Sequence, residues 1–276
     1  MNRLSPLARC LTYAALILGS LLFLAPFLWE IRSSLMTLAG VFSYPPVIVP
    51  TDPQWSNYLD VFSIMPFAQY YGNTILVVIL NVVGALISNT AIAFALARIP
   101  FRGRKILFAL SMGTLMIPVA VTLIPTYIEW SWFGGLNSYF PLTVPSFFGN
   151  AFFIFLLVQF FRNIPKEFDE AAFVDGASYP QILTKIIVPM SRPVMAVVVI
   201  FTFMNNWNDF MGPLLYLNDS KLFTLALGLK SLLSSYNSYW QILMAAATLV
   251  VLPLILVFFF AQKSFVEGLA AGGIKG

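Results

Sequence analysis

Asn205, Asn206, Asn208 and Asp209 stand together in an otherwise apolar stretch. Amides and a carboxylate in such a run can exchange hydrogen bonds where water is scarce, and polar side chains there usually face an interior or a cavity. Asn81 and Asn89, in a second apolar stretch, extend the set of candidate solute-passage residues. No Lys or Arg accompanies them mid-run. A carboxylate or phosphate would be met by a cation or a helix N-terminus, so amides and aromatics suit a neutral, hydroxyl-rich solute. The competing reading of the same residues is interhelical hydrogen bonding between subunits, worth about 0.6 kcal/mol per contact. Acid–base and metal chemistry have little to work with. His is absent and Cys10 is the single cysteine, so no catalytic residue, no metal site and no internal disulfide are expected.

The elements that must position these residues follow from composition. Of the 276 residues, 59% are apolar and 9% charged, against roughly 25% charged in soluble domains. So few charges cannot cover a soluble fold. This excludes a soluble enzyme, a disordered chain and a nucleic-acid binder, despite the net charge of +4. A membrane helix needs about 20 mostly apolar residues. Spans are therefore expected at 11–31, 71–97, 106–129, 144–161, 193–215 and 241–262, with the fourth short and interrupted by Asn150 and Gln159. The first is too long for a secretory signal and lacks a small-residue cleavage site. The expectation is one all-α transmembrane domain over 1–276.

Six spans put both termini on one side. That side would hold Arg3, Arg9, Arg98, Arg102, Arg104, Lys105, Arg162, Lys166, Lys185, Arg192, Lys263 and Lys275, which is 12 of the 15 Lys and Arg. Arg32, Lys221 and Lys230 remain outside. The excess of basic residues makes the first side cytoplasmic, an N-in, C-in topology in a bacterial or archaeal cytoplasmic membrane. The Arg98–Lys105 run reads as a topology determinant. Outer loops follow at about 33–70, 130–143 and 216–240. Trp130, Trp132, Tyr139, Tyr239 and Trp240 cluster near the outer ends and read as an interfacial belt.

Residues 162–192 are too polar for the bilayer and too patterned to be slack. Asn163 and Pro165 suit a helix start, and Glu167, Asp169 and Glu170 favour its positive end. Gly176 suits the stop. Ser178 can cap a second helix with Pro180 in its first turn, and Ile182, Leu183, Ile186 and Ile187 share one face before Pro189 ends it. Phe168, Ala171 and Ala172 give the first helix an apolar face with nothing of this chain's own to cover it outside the membrane, so a partner is implied. The acids argue against the alternative, adsorption to an anionic bilayer surface.

This pattern, Glu170-Ala171-Ala172, then Gly176, then Ile186-Ile187-Val188-Pro189, resembles the EAA loop of ABC-importer permeases, departing at Val188, where Leu is usual. The end of the chain, Gly268-Leu269 through Gly272 to Lys275-Gly276, is similar to the tail of the smaller permease subunit of maltose-type carbohydrate importers. With Trp207-Asn208-Asp209, the resemblance covers essentially the whole chain. It implies that Glu170, Ala171, Ala172, Gly176, Ile186 and Pro189 belong to a coupling helix docked on a separate ATPase, and that Gly272, Lys275 and Gly276 in the 263–276 tail reach between ATPase subunits. It further implies a second related permease, two ATPase subunits that bind the ATP and Mg, an extracytoplasmic solute-binding protein, and a sugar moved by alternating access. This chain carries no Gly-x-x-x-x-Gly-Lys-Ser/Thr loop, so it cannot itself hydrolyse ATP, and no cofactor is expected on it. Glycerol phosphate or another small polar solute is the alternative within this class. An ion-coupled secondary transporter, with Asp209 as proton carrier, is the alternative outside it.

Overall fold

The computed structural model describes residues 6–233 and 239–273, and its regular elements are helices. Arg3, Lys275 and Gly276 lie outside the described residues. Four helices are long and apolar enough to cross a membrane, and two bent helix pairs bring the number to six if each pair is one span. The chain divides into two compact units, residues up to 67 with 229–253, and 68–228 with 254 onward.

In the first unit, α1 (Pro6–Ser34) exposes apolar side chains all round, among them Leu11, Leu18, Phe23 and Phe27. A helix apolar on every side belongs in lipid. Its last turn is tied to the loop beyond it. Buried Arg32 donates through Nε to Val47 O at 2.6 Å and lies 4.4 Å over the Trp29 ring. Asn57 Nδ2 donates to Ser34 O and Met36 O, satisfying carbonyls left orphaned at a helix end.

The second unit is organised on α2 (Phe67–Arg98), whose residues from Ala68 belong to it. Helices α3 (Arg104–Thr114) and α4 (Val119–Trp132) replace the expected straight span at 106–129 and meet at 99°. The break is chemical: Pro118 has no N–H, takes an extended conformation (φ −62°, ψ 134°), and disfavours helix in the residue before it. The fourth span is also broken. A short helix at Phe140–Thr143 and a 3-10 turn at Val144–Phe148 lead to Gly149, at φ +91°. Then α5 (Ala151–Asn163) starts afresh.

The 162–192 loop holds α6 (Glu167–Val174) and α7 (Tyr179–Met190). Two local expectations fail here. Asn163 ends α5 instead of capping α6, which Lys166 precedes without a side-chain cap. Pro189 does not end α7, because Leu183–Ile187 form a π-helical turn in which Val188 N–H reaches back to Leu183 O. Such a turn accommodates a proline that cannot donate.

Next, α8 (Arg192–Trp207) leaves α7 at 82°. The expected span 193–215 does not continue as one helix: Asn208 caps α8, and α9 (Met211–Tyr216) is separate. Asn and Asp compete for backbone hydrogen bonds and favour such ends. The last helix, α10 (Trp240–Gly273), runs on through the expected tail as far as Gly273.

The core of this unit collects Phe94, Leu96 and Ala97 of α2, Phe153, Leu157 and Phe161 of α5, and Val194 and Val198 of α8. Ala172 of α6 and Ile182 and Ile187 of α7 join it. The 162–192 loop is thus packed on the long apolar helices of its own chain.

Candidate functional site

The first candidate site is the 162–192 loop. Gly176 sits at φ +80° between α6 and α7, with nothing within 4 Å of where a Cβ would be. The glycine is therefore required by backbone conformation and not by crowding. Gln181 Oε1 accepts from the Ser178 N–H at 2.7 Å and its hydroxyl at 3.0 Å, opening α7 as Ser178 and Pro180 foretold. Tyr179 stacks edge-on against Phe173 at 5.1 Å and against Phe94 of α2 at 6.3 Å.

The apolar face expected to lack any cover within this chain is instead divided. Ala172 is buried against the chain's own core, because α6 lies on the ends of α2 and α5. Phe168, Ala171, Phe173 and Val174 stay exposed, Val174 by 88%, beside exposed Glu170. Ile186 is half-buried and Pro189 exposed. One side of α6 is anchored and the other is left free.

The anchor includes a group that sequence reasoning missed. Arg98, expected only to orient the membrane helices, is buried. Its Nη1 meets Asp169 Oδ2 at 3.1 Å, and Nη2 donates to Phe161 O at 2.6 Å and Ile164 O at 2.7 Å. Asp169 stood in the sequence as one acid among several, and nothing in periodicity or spacing pairs it with a residue 71 positions earlier.

The second candidate site is a cavity of about 260 Å³ where the fourth span breaks. Asn81, Asn89, Asn205 and Asn206 line it, together with Ser146, Asn150 and Thr202. Four of the six expected passage residues are therefore brought together, and in two distinct roles. Asn89 and Asn81 are struts. Asn89 Nδ2 donates to Ala85 O and its Oδ1 accepts from Asn150 N–H, while Asn81 Nδ2 donates to Val77 O and Leu142 O. Asn205 is exposed, and among the described residues its amide has no hydrogen-bond partner. Thr202 Oγ1 is buried without a partner on the same wall.

Asn208 and Asp209 lie elsewhere. They share no helical face with Asn205, because the helix that carries Asn205 stops at Trp207. Trp207 is buried, stacked on Phe203 at 5.2 Å and edge-on to Tyr71. Asn208 Nδ2 turns back to Met204 O. Asp209 Oδ1 accepts from Gly212 N–H at 3.0 Å at the start of α9. That oxygen is committed to a backbone N–H in the first turn of α9.

No lysine or arginine lines the cavity. The N-terminus of α5 borders it, but Asn150 Oδ1 already accepts from Phe152 and Phe153 N–H. Among the described residues no group of His, Cys, Asp or Glu could hold a metal. Between α4 and the fourth span, burial pushes the Tyr139 phenol above its ordinary range. Trp132 stands 82% exposed.

Comparison with known proteins places this geometry. Residues 89–270, which take in the 162–192 loop and the cavity lining from Asn89 onward, match the family described as binding-protein-dependent transport system inner membrane component. The arabinooligosaccharides transport system permease protein AraQ of Halalkalibacterium halodurans is 32% identical, over 82% of this chain and 81% of that one. The sn-glycerol-3-phosphate transport system permease protein UgpE of Pectobacterium atrosepticum is 31% identical over 94% of each. The crystal structure of a bacterial ABC transporter involved in import of the acidic polysaccharide alginate has a chain that superposes with a TM-score of 0.84 at 26% identity, over 96% of this chain and all of that one. The chain belongs to the family of binding-protein-dependent transport system inner membrane components, and is a multi-pass permease subunit of an ABC importer, a transport component and not a catalyst.

Proposed function

We propose that this permease moves a sugar or oligosaccharide across the cytoplasmic membrane by alternating access, driven by separate ATPase subunits. The observation that carries the coupling half is the division of α6: Ala172 is held in the core while Phe168, Ala171, Phe173 and Val174 are exposed beside Glu170 and Gly176. A helix anchored on one side and bare on the other is a lever with a docking face. Alternating access is a rocking of rigid helices around a fixed site. Ile186 and Pro189 shape the far end of the lever. Gly272, with Lys275 and Gly276 beyond it, is assigned to the same ATPase interface.

The solute half rests on the lining of the cavity. Amides and hydroxyls without a cation, beside a helix N-terminus already capped, suit hydroxyls better than a phosphate. This favours a sugar over glycerol phosphate, the solute named for UgpE. Sugar-named relatives such as AraQ agree. The remaining assignments complete the assembly: one transmembrane domain, N-in and C-in, paired with a second permease, two ATPases holding the ATP and Mg, and an extracytoplasmic binding protein. No cofactor is assigned to this chain.

The test is uptake by the co-purified complex in proteoliposomes, with labelled oligosaccharides and glycerol 3-phosphate supplied on the loaded binding protein. ATP-dependent sugar uptake supports the reading. Uptake of the phosphate ester alone, or uptake driven by an ion gradient without ATP, overturns it.

A further inference from the structure

Three helix ends meet at one guanidinium. Arg98 is the last residue of α2, its side chain 3% exposed. Phe161 O and Ile164 O, which accept from Nη2, lie at the C-terminal end of α5. Asp169, which accepts from Nη1, lies in the first turn of α6. A cation at a negative helix end and an anion at a positive one are both favourable, so the charges suit their places.

As a device for stability the arrangement is poor. Two charges have been taken out of water for a single contact between them. Arg98 Nε and Asp169 Oδ1 remain buried with no partner. Burying an ion pair costs desolvation that only full hydrogen bonding repays, and an apolar replacement often does as well. What the pair supplies that an apolar contact would not is direction. The planar fork fixes the α6 end against two carbonyls of α5 at defined angles.

The same helix carries the other site. Asn89 precedes Arg98 by nine residues, about 14 Å along an α-helix. A displacement of α6 held by Arg98 therefore reaches the cavity wall through one rigid element, with no loop between.

We infer that Arg98 and Asp169 are positioning residues for energy coupling: the buried pair clamps α6 to α2 and α5, so that motion imposed on the exposed face of α6 moves the cavity wall. This rests on the proposed coupling role of the 162–192 loop.

The experiment uses the complete importer in proteoliposomes and reads solute moved per ATP hydrolysed, together with the amount of assembled complex. Asp169→Asn keeps the shape and removes the charge. It is expected to assemble normally while transport per ATP falls about tenfold. Asp169→Glu restores much of the ratio, and Arg98→Lys, which loses the fork, behaves like Asp169→Asn. An unchanged ratio in Asp169→Asn overturns the inference. So does failure of both Asp169→Asn and Asp169→Glu to assemble, which would assign the pair to folding alone. Gly176→Val, measured in parallel, separates the two levels. If it too leaves the ratio intact, the coupling role of the loop has failed. If it uncouples while Asp169→Asn does not, only the clamp has failed.

Discussion

Asn89 Oδ1 accepts the backbone N–H of Asn150 at 2.6 Å, so the second span holds open the break in the fourth. Asn89 is fully buried, and its Nδ2 is committed to Ala85 O. One side chain thus satisfies a backbone group that the helix break would otherwise orphan.

Asn89→Leu should therefore destabilise the protein by about 1–3 kcal/mol, the cost of an unsatisfied buried donor. The check is the midpoint of thermal unfolding in mild detergent, compared with Asn205→Leu. Asn205 has no partner within the described chain, so its substitution should leave the midpoint unchanged. Equal midpoints for the two variants would refute the strut role.

At Gly176, φ is +80° in open space. Gly176→Val should cost about 1–2 kcal/mol of backbone strain, and Gly176→Asn much less. Together with Glu170→Ala, Gly176→Val is expected to leave membrane insertion intact and lower solute uptake relative to ATP hydrolysis. Normal uptake in both would remove the coupling role.

Asp209 Oδ1 accepts from Gly212 N–H in the first turn of α9. Asp209→Asn keeps a capping oxygen and should retain full uptake, whereas Asp209→Ala should lose about 1 kcal/mol of stability. Uptake abolished in Asp209→Asn and dependent on a proton gradient in the parent would restore the proton-carrier reading.

Topology can be read with thiols, since Cys10 is the single cysteine. In a Cys10→Ser background, Ser220→Cys is expected to react with an impermeant maleimide in intact spheroplasts. Arg102→Cys is expected to react only after permeabilisation, because both positions are exposed and the basic residues lie inside. The reverse pattern would invert the chain.

Much of the helical order was legible from local chemistry. Long apolar runs at α1 and α10 can only be lipid-facing helices, and Gly176, Ser178 and Pro180 act through their own backbone, so their roles show in sequence. The 162–192 loop was legible for the same reason. Its register of caps and turns involves neighbours a few residues apart.

What escaped the sequence were interactions between distant residues and the breaks they permit. Whether α3 and α4 form one straight span depends on Pro118, whose effect is local, and on what receives the bend, which is not. Trp207, where α8 ends, is enclosed by Phe203 and Tyr71, and of four asparagines with one chemistry Asn81 and Asn89 bridge to the fourth span, Asn206 bonds back to Thr202 O within its own helix, and Asn205 keeps an amide without a partner among the described residues. Composition and spacing determined that this chain spans a membrane and carries a polar, capped helix–turn–helix at 162–192, because burial in lipid and helix capping are properties of residues and their near neighbours. Only the tertiary structure decided that Arg98 joins Asp169 across 71 positions, because a buried charge is placed by the groups that enclose it and not by the residues beside it in the chain.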